Sequence, residues 1–131
     1  MDYKLEVLVL PVSDVDRARA FYEKLGFRLD IDYVASDTYR VAQFTPPGSG
    51  CSIVFGKGIT NAAPGSVQGL HLVVNDIVAA RAELVGKGIT VGEVFHDAGG
   101  IFHHAGTDFD AAGPDPKGRS YASFADRKSV V

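Results

Sequence analysis

Apolar residues in the first third of the chain follow two different periods. Residues 4–12, KLEVLVLPV, are dense in Leu and Val and read as a buried strand. Pro11 falls near its end, where a missing donor costs little. Val15, Ala18, Phe21, Tyr22 and Leu25 then recur at helical spacing, after Ser13 or Asp14 as the N-cap. Gly26 stands where a left-handed C-cap is usual. Three further strands are predicted at residues 27–34, 38–45 and 51–55, with Ser36-Asp37 and the stretch from Pro46 to Gly50 as the turns. The first module reads β-α-β-β-β, over residues 4–56.

The pattern then returns. LPVSDVDRARAFYEKLGF, residues 10–27, aligns with LVVNDIVAARAELVGKGI, residues 72–89, sharing Leu10/Leu72, Val12/Val74, Asp14/Asp76, Ala18/Ala80, Arg19/Arg81, Ala20/Ala82 and Gly26/Gly88. A fixed offset of this kind marks a duplicated supersecondary unit. Residues 57–67, KGITNAAPGSV, read as a linker. The second module, residues 68–131, is predicted to hold a strand at 68–74, a helix at 77–87 capped by Asn75 or Asp76 and stopped by Gly88, and a strand at 89–96. After that the parallel weakens. Residues 97–118 are rich in Gly and Pro, with only IFHHA looking extended, while RSYASFA, residues 119–125, alternates as a strand does. The last strand of this module is expected to be short or missing. The two modules together are expected to make one domain of 131 residues.

Composition removes several classes of function. A hydrophobic share of 46%, a charged share of 22% and a net charge of −3 describe an ordinary globular chain and give no footprint for nucleic acid or an anionic membrane. No apolar run reaches membrane-spanning length, and no leader is visible. Cys51 is the single cysteine and has no internal partner, which fits a reducing compartment, so a cytoplasmic location is expected.

The segment VSDVDRARAFYEKLGF, with the repeat behind it, resembles the first-helix signature of the vicinal-oxygen-chelate superfamily, whose members include glyoxalase I, bleomycin-resistance proteins and extradiol dioxygenases. The resemblance covers residues 4–96 and, loosely, 119–126. It implies an α+β fold of two tandem β-α-β-β-β modules forming curled half-barrel sheets around a cleft. In metal-dependent members, the first strand of each module supplies a His or Gln and the fourth a Glu or Gln. The first-strand ligand stands seven residues before the helix-start Asp, which here gives Val7 and Gly69. Residues 51–55 carry no carboxylate or amide, and no closing-strand Glu follows residue 125. All four ligands of the family site are absent, so no metal and no cofactor are expected.

The residues left to carry chemistry are few. His71 lies two positions after Gly69, on the same side of the predicted strand, and could anchor a relocated metal site with His96, His103 or His104. Against this stands a half-buried strand histidine donating to a neighbour. In VFHDAGGIFHHAG, residues 94–106, Phe95 or Phe102 with His103 or His104 could form a stacking and hydrogen-bonding wall for a planar ligand. The other reading is a solvated loop. His96 and Asp97, adjacent on a strand, point to opposite faces and make no dyad. Tyr39, Arg40 and Gln43 on the third strand could line the cleft, although alternation alone leaves both faces open. Arg19 and Arg81 read as helix-surface residues. The function expected is metal-independent binding of a small, partly aromatic molecule, as in drug-sequestering members. The alternative is a metal-dependent lyase or dioxygenase using His71. A homodimer is expected, each chain shielding the incomplete second module of the other.

Overall fold

The computed structural model describes residues 1–126, which separate into two compact units, residues 1–71 and residues 72–126. The fold is α+β, with two sheets, two helices among the described residues and no closed barrel.

The first unit follows the predicted order: β1 (Val7–Val9), α1 (Val15–Leu25), β2 (Arg28–Ser36), β3 (Tyr39–Thr45) and β4 (Ser52–Lys57). Both ends of α1 are set by local chemistry. The Asp14 carboxylate accepts the Arg17 N–H at 3.0 Å. Gly26 takes φ 85°, a left-handed conformation that costs glycine little, and the Phe27 N–H turns back to the Tyr22 carbonyl at 3.1 Å. The strands lie in the order β1-β4-β3-β2, with β1 parallel to β4 and the other pairs antiparallel. β1 is shorter than the expected 4–12, because its ladder reaches only from Val7 opposite Ser52 to Val9 opposite Val54.

The core of this unit lies between α1 and the sheet. Ala42, Phe44, Ile53 and Phe55 are buried with Leu10 and Val15, and Val12, Ala18, Tyr22 and Phe27 pack against them. The Phe44 and Phe55 rings stack 5.8 Å apart, with Tyr22 at 6.0 and 5.5 Å from them. Burying a large apolar side chain contributes about 1.5–3 kcal/mol, so these rings are the main hold on α1. Since Phe44 and Ala42 face the helix, alternation sends Val41, Gln43 and Thr45 to the other face. Gly56 on β4 is required by close approach: a Cβ there would meet the Arg40 carbonyl oxygen at 1.8 Å.

The second unit contains α2 (Ile77–Gly86), β5 (Phe95–Asp97), β6 (Asp110–Ala112) and β7 (Ser123–Phe124), with the sheet in the antiparallel order β6-β5-β7. The helix is where the repeat puts it. Asp76 accepts the Ala79 N–H at 3.0 Å, and Gly88 has φ 77° just after the helix. The sheet departs from expectation. Residues 68–74 form no strand, and β7, two residues long among those described, pairs with β5. Val73 is 92% exposed.

The expected strand at 89–96 contracts to Phe95–Asp97, and the extended reading of IFHHA is overturned by Phe102, whose φ of 65° breaks an extended path. RSYASFA keeps only Ser123–Phe124, since Tyr121 has φ 57°. Conversely, β6 forms inside the segment read as a Gly/Pro loop, where Ala111 and Ala112 pair with His96 and Phe95. Residues 127–131, on which any continuation of the closing strand would fall, lie outside the described residues. Among the described residues, no helix is long and apolar enough to cross a membrane.

Candidate functional site

The face of the first sheet turned away from α1 is apolar at its edges and polar within. Val7 and Val9 of β1, Val54 of β4, Val41 of β3, and Ile31 and Tyr33 of β2 share it by register. Val7, Val9, Ile31 and Tyr33 are all exposed, Tyr33 at 54%. Tyr39 joins them from the start of β3 and is also exposed.

The polar part is organised by Asp30, which sits at the irregularity in β2 between Leu29 and Ile31. Its carboxylate accepts from the Thr45 hydroxyl, from Gln43 Nε2 at 3.2 Å and from Arg28 Nε at 2.8 Å. Thr45 and Ser52, both buried, share a hydrogen bond of 2.7 Å. The Thr45 hydroxyl and then Arg28 hold the Asp30 carboxyl below the usual carboxylate range despite burial. With Gln43 Nε2 bonded to Asp30, the Gln43 amide oxygen remains an oriented acceptor. Apolar walls with a few fixed polar groups are what a small-molecule site requires.

Arg40 lies on the opposite, helix-side face. It grips Asp32 through two nitrogens at 2.9 and 2.7 Å and reaches Asp16 of α1 at 2.7 Å, while Arg19 of α1 binds the same Asp32. The bonds from Arg40, reinforced by Arg19, outweigh burial and lower the Asp32 carboxyl to about 2. Arg40 therefore fastens the helix to the sheet, and of the three candidates on β3 only Tyr39 and Gln43 lie on the open face.

In the second unit the candidates have separate surroundings. His103 is half-buried between Phe95, whose ring it meets edge-on at 5.0 Å, and Phe124 at 5.3 Å. Its Nδ1 is buried without a hydrogen-bond partner among the described residues. Phe102 stacks on Tyr121 with centroids 5.5 Å apart. His96 Nδ1 lies 2.9 Å from the Gly113 carbonyl. His71 is exposed and sits in the stretch that forms no strand, so the strand position expected for it does not exist. Between α2 and the sheet lies a cavity of about 610 Å³ lined by Val78, Arg81, Ala82, Phe95 and the residues of β6.

A histidine–aspartate pair is present after all, between residues seven apart. His104 Nδ1 stands 2.7 Å from Asp97 Oδ2, and the buried Asp97 also accepts the backbone N–H groups of His104 and Gly99, each at 2.7 Å. Burial pushes the Asp97 carboxyl up. The bonds from the His104 backbone, the His104 ring and Gly99 more than offset this and bring it to about 2. An ionised carboxylate only accepts, so in this bond Nδ1 carries a proton, and in the neutral imidazole Nε2 is the accepting nitrogen.

The donor set expected of metal-dependent members is not met. Val7 is opposite Ser52 and Val9 opposite Val54, so the first and fourth strands bring aliphatic groups and one hydroxyl, and Gly69 has no side chain. No group of three or more His, Cys, Asp or Glu side chains converges among the described residues. A divalent ion prefers several such donors at once.

The model of the glyoxalase/bleomycin resistance protein/dioxygenase superfamily matches residues 4–119. Among solved structures, the chain is similar to TnmS3, an antibiotic binding protein from Streptomyces sp. CB03234. That match has 33% identity and a TM-score of 0.60, over 70% of this chain and 75% of that one. A glyoxalase/bleomycin resistance protein from Streptomyces sp. CB03234 matches at 33% identity and a TM-score of 0.58, over 68% and 78% of the two chains. A member of the superfamily from Sphaerobacter thermophilus DSM 20745 matches at 26% identity and a TM-score of 0.58, over 69% and 75%. No curated protein matches.

Proposed function

From the premise that the chain belongs to the glyoxalase/bleomycin resistance protein/dioxygenase superfamily, we propose that it binds a small, partly aromatic molecule without a metal, in the manner of drug sequestration. The observation that carries this is the open face of the first sheet, where Val7, Val9, Ile31, Tyr33 and Tyr39 surround the Gln43–Asp30–Thr45 hydrogen-bonded centre. The apolar area suits a ring system, and the Gln43 amide suits a polar substituent on it. Likeness to an antibiotic binding protein supports the same class of ligand. Phe95, Phe102, His103 and His104 are proposed as further ligand contacts on the second unit.

Calorimetric titration of chelator-treated protein with planar aromatic antibiotics tests the reading. Saturable binding unchanged by chelation is expected, weakened about tenfold in Gln43→Ala, the size of one lost hydrogen bond. Absence of binding across the panel overturns it. Binding that returns only with a divalent ion and disappears in His71→Ala would establish instead a metal-dependent lyase or dioxygenase type of site.

We also propose a homodimer in a reducing cytoplasmic setting. Leu72, Val73 and Val74 stay exposed, the last strand has two residues among those described, and apolar surface of this kind tends to be covered. A single species of one chain's mass in sedimentation at micromolar concentration would refute the dimer.

A further inference from the structure

We propose that the second unit carries a proton-accepting site at His104 Nε2, which takes small phenols or enols, planar molecules with a weakly acidic hydroxyl. The residues concerned belong to this unit alone, and the inference does not depend on the face described for the first.

The loop between β5 and β6 is built to fix one ring. Its ends are joined by the Ala98 N–H donating to the Phe109 carbonyl at 2.7 Å, and its middle by the Phe102 N–H donating to the Tyr121 carbonyl at 2.6 Å. A glycine-containing loop closed in this way has little freedom left. Within it, Asp97 is 1% exposed and spends its carboxylate on Gly99 N–H, His104 N–H and His104 Nδ1–H. The two backbone bonds place the carboxylate, and the third aims the imidazole. Gly99 makes room for this: a Cβ there would lie 3.0 Å from both Asp97 Oδ1 and His104 Cε1. The Phe109 ring covers one face of the imidazole at 3.8 Å and 19°. The His104 side chain nevertheless remains 51% exposed, so the ring is held from behind and open in front.

A histidine kept only for packing would be closed over. Here a buried carboxylate orients the imidazole and stabilises the positive charge it acquires, the arrangement used for general bases. The proton transfer balances without another reactant. The O–H bond of the phenol breaks, its electron pair stays on oxygen, and the proton moves to Nε2. The resulting phenolate lies against an imidazolium whose other proton bonds Asp97. Release reverses each step. The adjoining half-exposed Phe109 gives the ligand's ring an apolar neighbour, which favours an aromatic or conjugated acid over water.

The experiment uses para-nitrophenol, whose phenolate is yellow and whose phenol is not, with the whole chain at a pH where the free compound is mostly protonated. A saturable rise in phenolate absorbance with wild-type protein is expected, together with its loss in His104→Gln. The His104 backbone bond to Asp97 is unchanged in that variant, and the half-exposed site tolerates the new side chain. Asp97→Asn should reduce the rise several-fold, because an amide can hold the wrong tautomer. If that variant does not fold, His104→Gln alone decides. No saturable rise, or an equal rise in His104→Gln, overturns the proposal.

Discussion

The two units start alike and end differently. Asp14 and Asp76 cap their helices through bonds of the same length, 3.0 Å, to the third residue on. Arg19 and Arg81 then reach the strand segment that follows, Arg19 to Asp32 and Arg81 to the carbonyls of Gly92 and Val91 at 2.8 and 3.4 Å. Beneath the helices the likeness stops. In the first unit Val15 is buried, and Tyr22 packs between Phe27, Phe44 and Phe55. In the second, α2 has no buried residue, and Val78 and Val85 remain exposed. At the matching positions of the repeat, Phe21 and Tyr22 are replaced by Glu83 and Leu84. A cap or a helix-to-strand arginine bond needs only residues close in sequence and survives duplication. A sheet needs partners from far along the chain, and the second unit has fewer of them.

The largest expected effect breaks the comparison if it is wrong. Phe44→Ala should cost about 3–5 kcal/mol, the usual penalty for deleting a fully buried aromatic ring. The matching probe, Leu84→Ala, should cost much less, since Leu84 is only half-buried. Amide hydrogen exchange on the wild type should find β3 and β4 among the last to exchange and α2 among the first. Equal protection of α2 and β3 would mean that the second unit has a core as good as the first.

A smaller effect distinguishes how each unit holds a carboxylate. Asp32 and Asp97 are both lowered from 3.8 to about 2, so each contributes stability that is complete above the unfolded value and lost as pH falls toward 2. Asp32 depends first on the Arg40 side chain, whereas two of the three bonds lowering Asp97 come from backbone N–H groups. Arg40→Ala should therefore return much of the Asp32 shift, while His104→Gln should leave Asp97 low. Carbon-detected NMR titration of the two carboxyl groups reads both. A rise of Asp97 all the way to its ordinary value in His104→Gln would show that the ring, not the loop backbone, holds the charge.

These contrasts explain what could be read from the sequence. Helix α1, its left-handed Gly26 and caps at Ser13 or Asp14 and at Asn75 or Asp76 follow from short-range rules, the structure choosing the aspartate in both pairs. The strands 27–34, 38–45 and 51–55 lie within a few residues of β2, β3 and β4. Which face of β3 carries Gln43 was not legible, because alternation is symmetric until Phe44 is known to meet α1. The strand expected at 68–74 failed for a non-local reason: its hydrophobicity suits a strand, but among the described residues no strand of the second unit pairs with it as β4 pairs with β1. Gly56 reads as an ordinary small residue until its approach to the Arg40 carbonyl is seen. The Asp97–His104 pair was hidden as well, since it depends on a loop closure from Ala98 to Phe109 that no spacing rule encodes. The cluster of histidines in residues 94–106 was its only signal in the sequence.

The smallest effect concerns the two matched arginines and sharpens the comparison most. Arg19 forms part-exposed ion pairs with Glu23 and Asp32, and exposed pairs of this kind contribute about 0–1 kcal/mol. Helix α1 also has Val15 and Tyr22 to hold it, so Arg19→Ala should leave its amide protection nearly unchanged. Arg81 has a larger share of the work. Its hydrogen bonds to Gly92 and Val91 tie α2 to the chain leading into β5, and no buried side chain of α2 supports them. Arg81→Ala should cost about 0.5–1.5 kcal/mol, a typical value for such bonds, and that loss should appear mainly as faster exchange along Ile77–Gly86. The two variants have the same chemistry at repeat-equivalent positions, so general effects of removing a guanidinium cancel between them. Equal exchange in the two helices after substitution would show that α2 rests on packing as α1 does, and that the arginine is incidental in both.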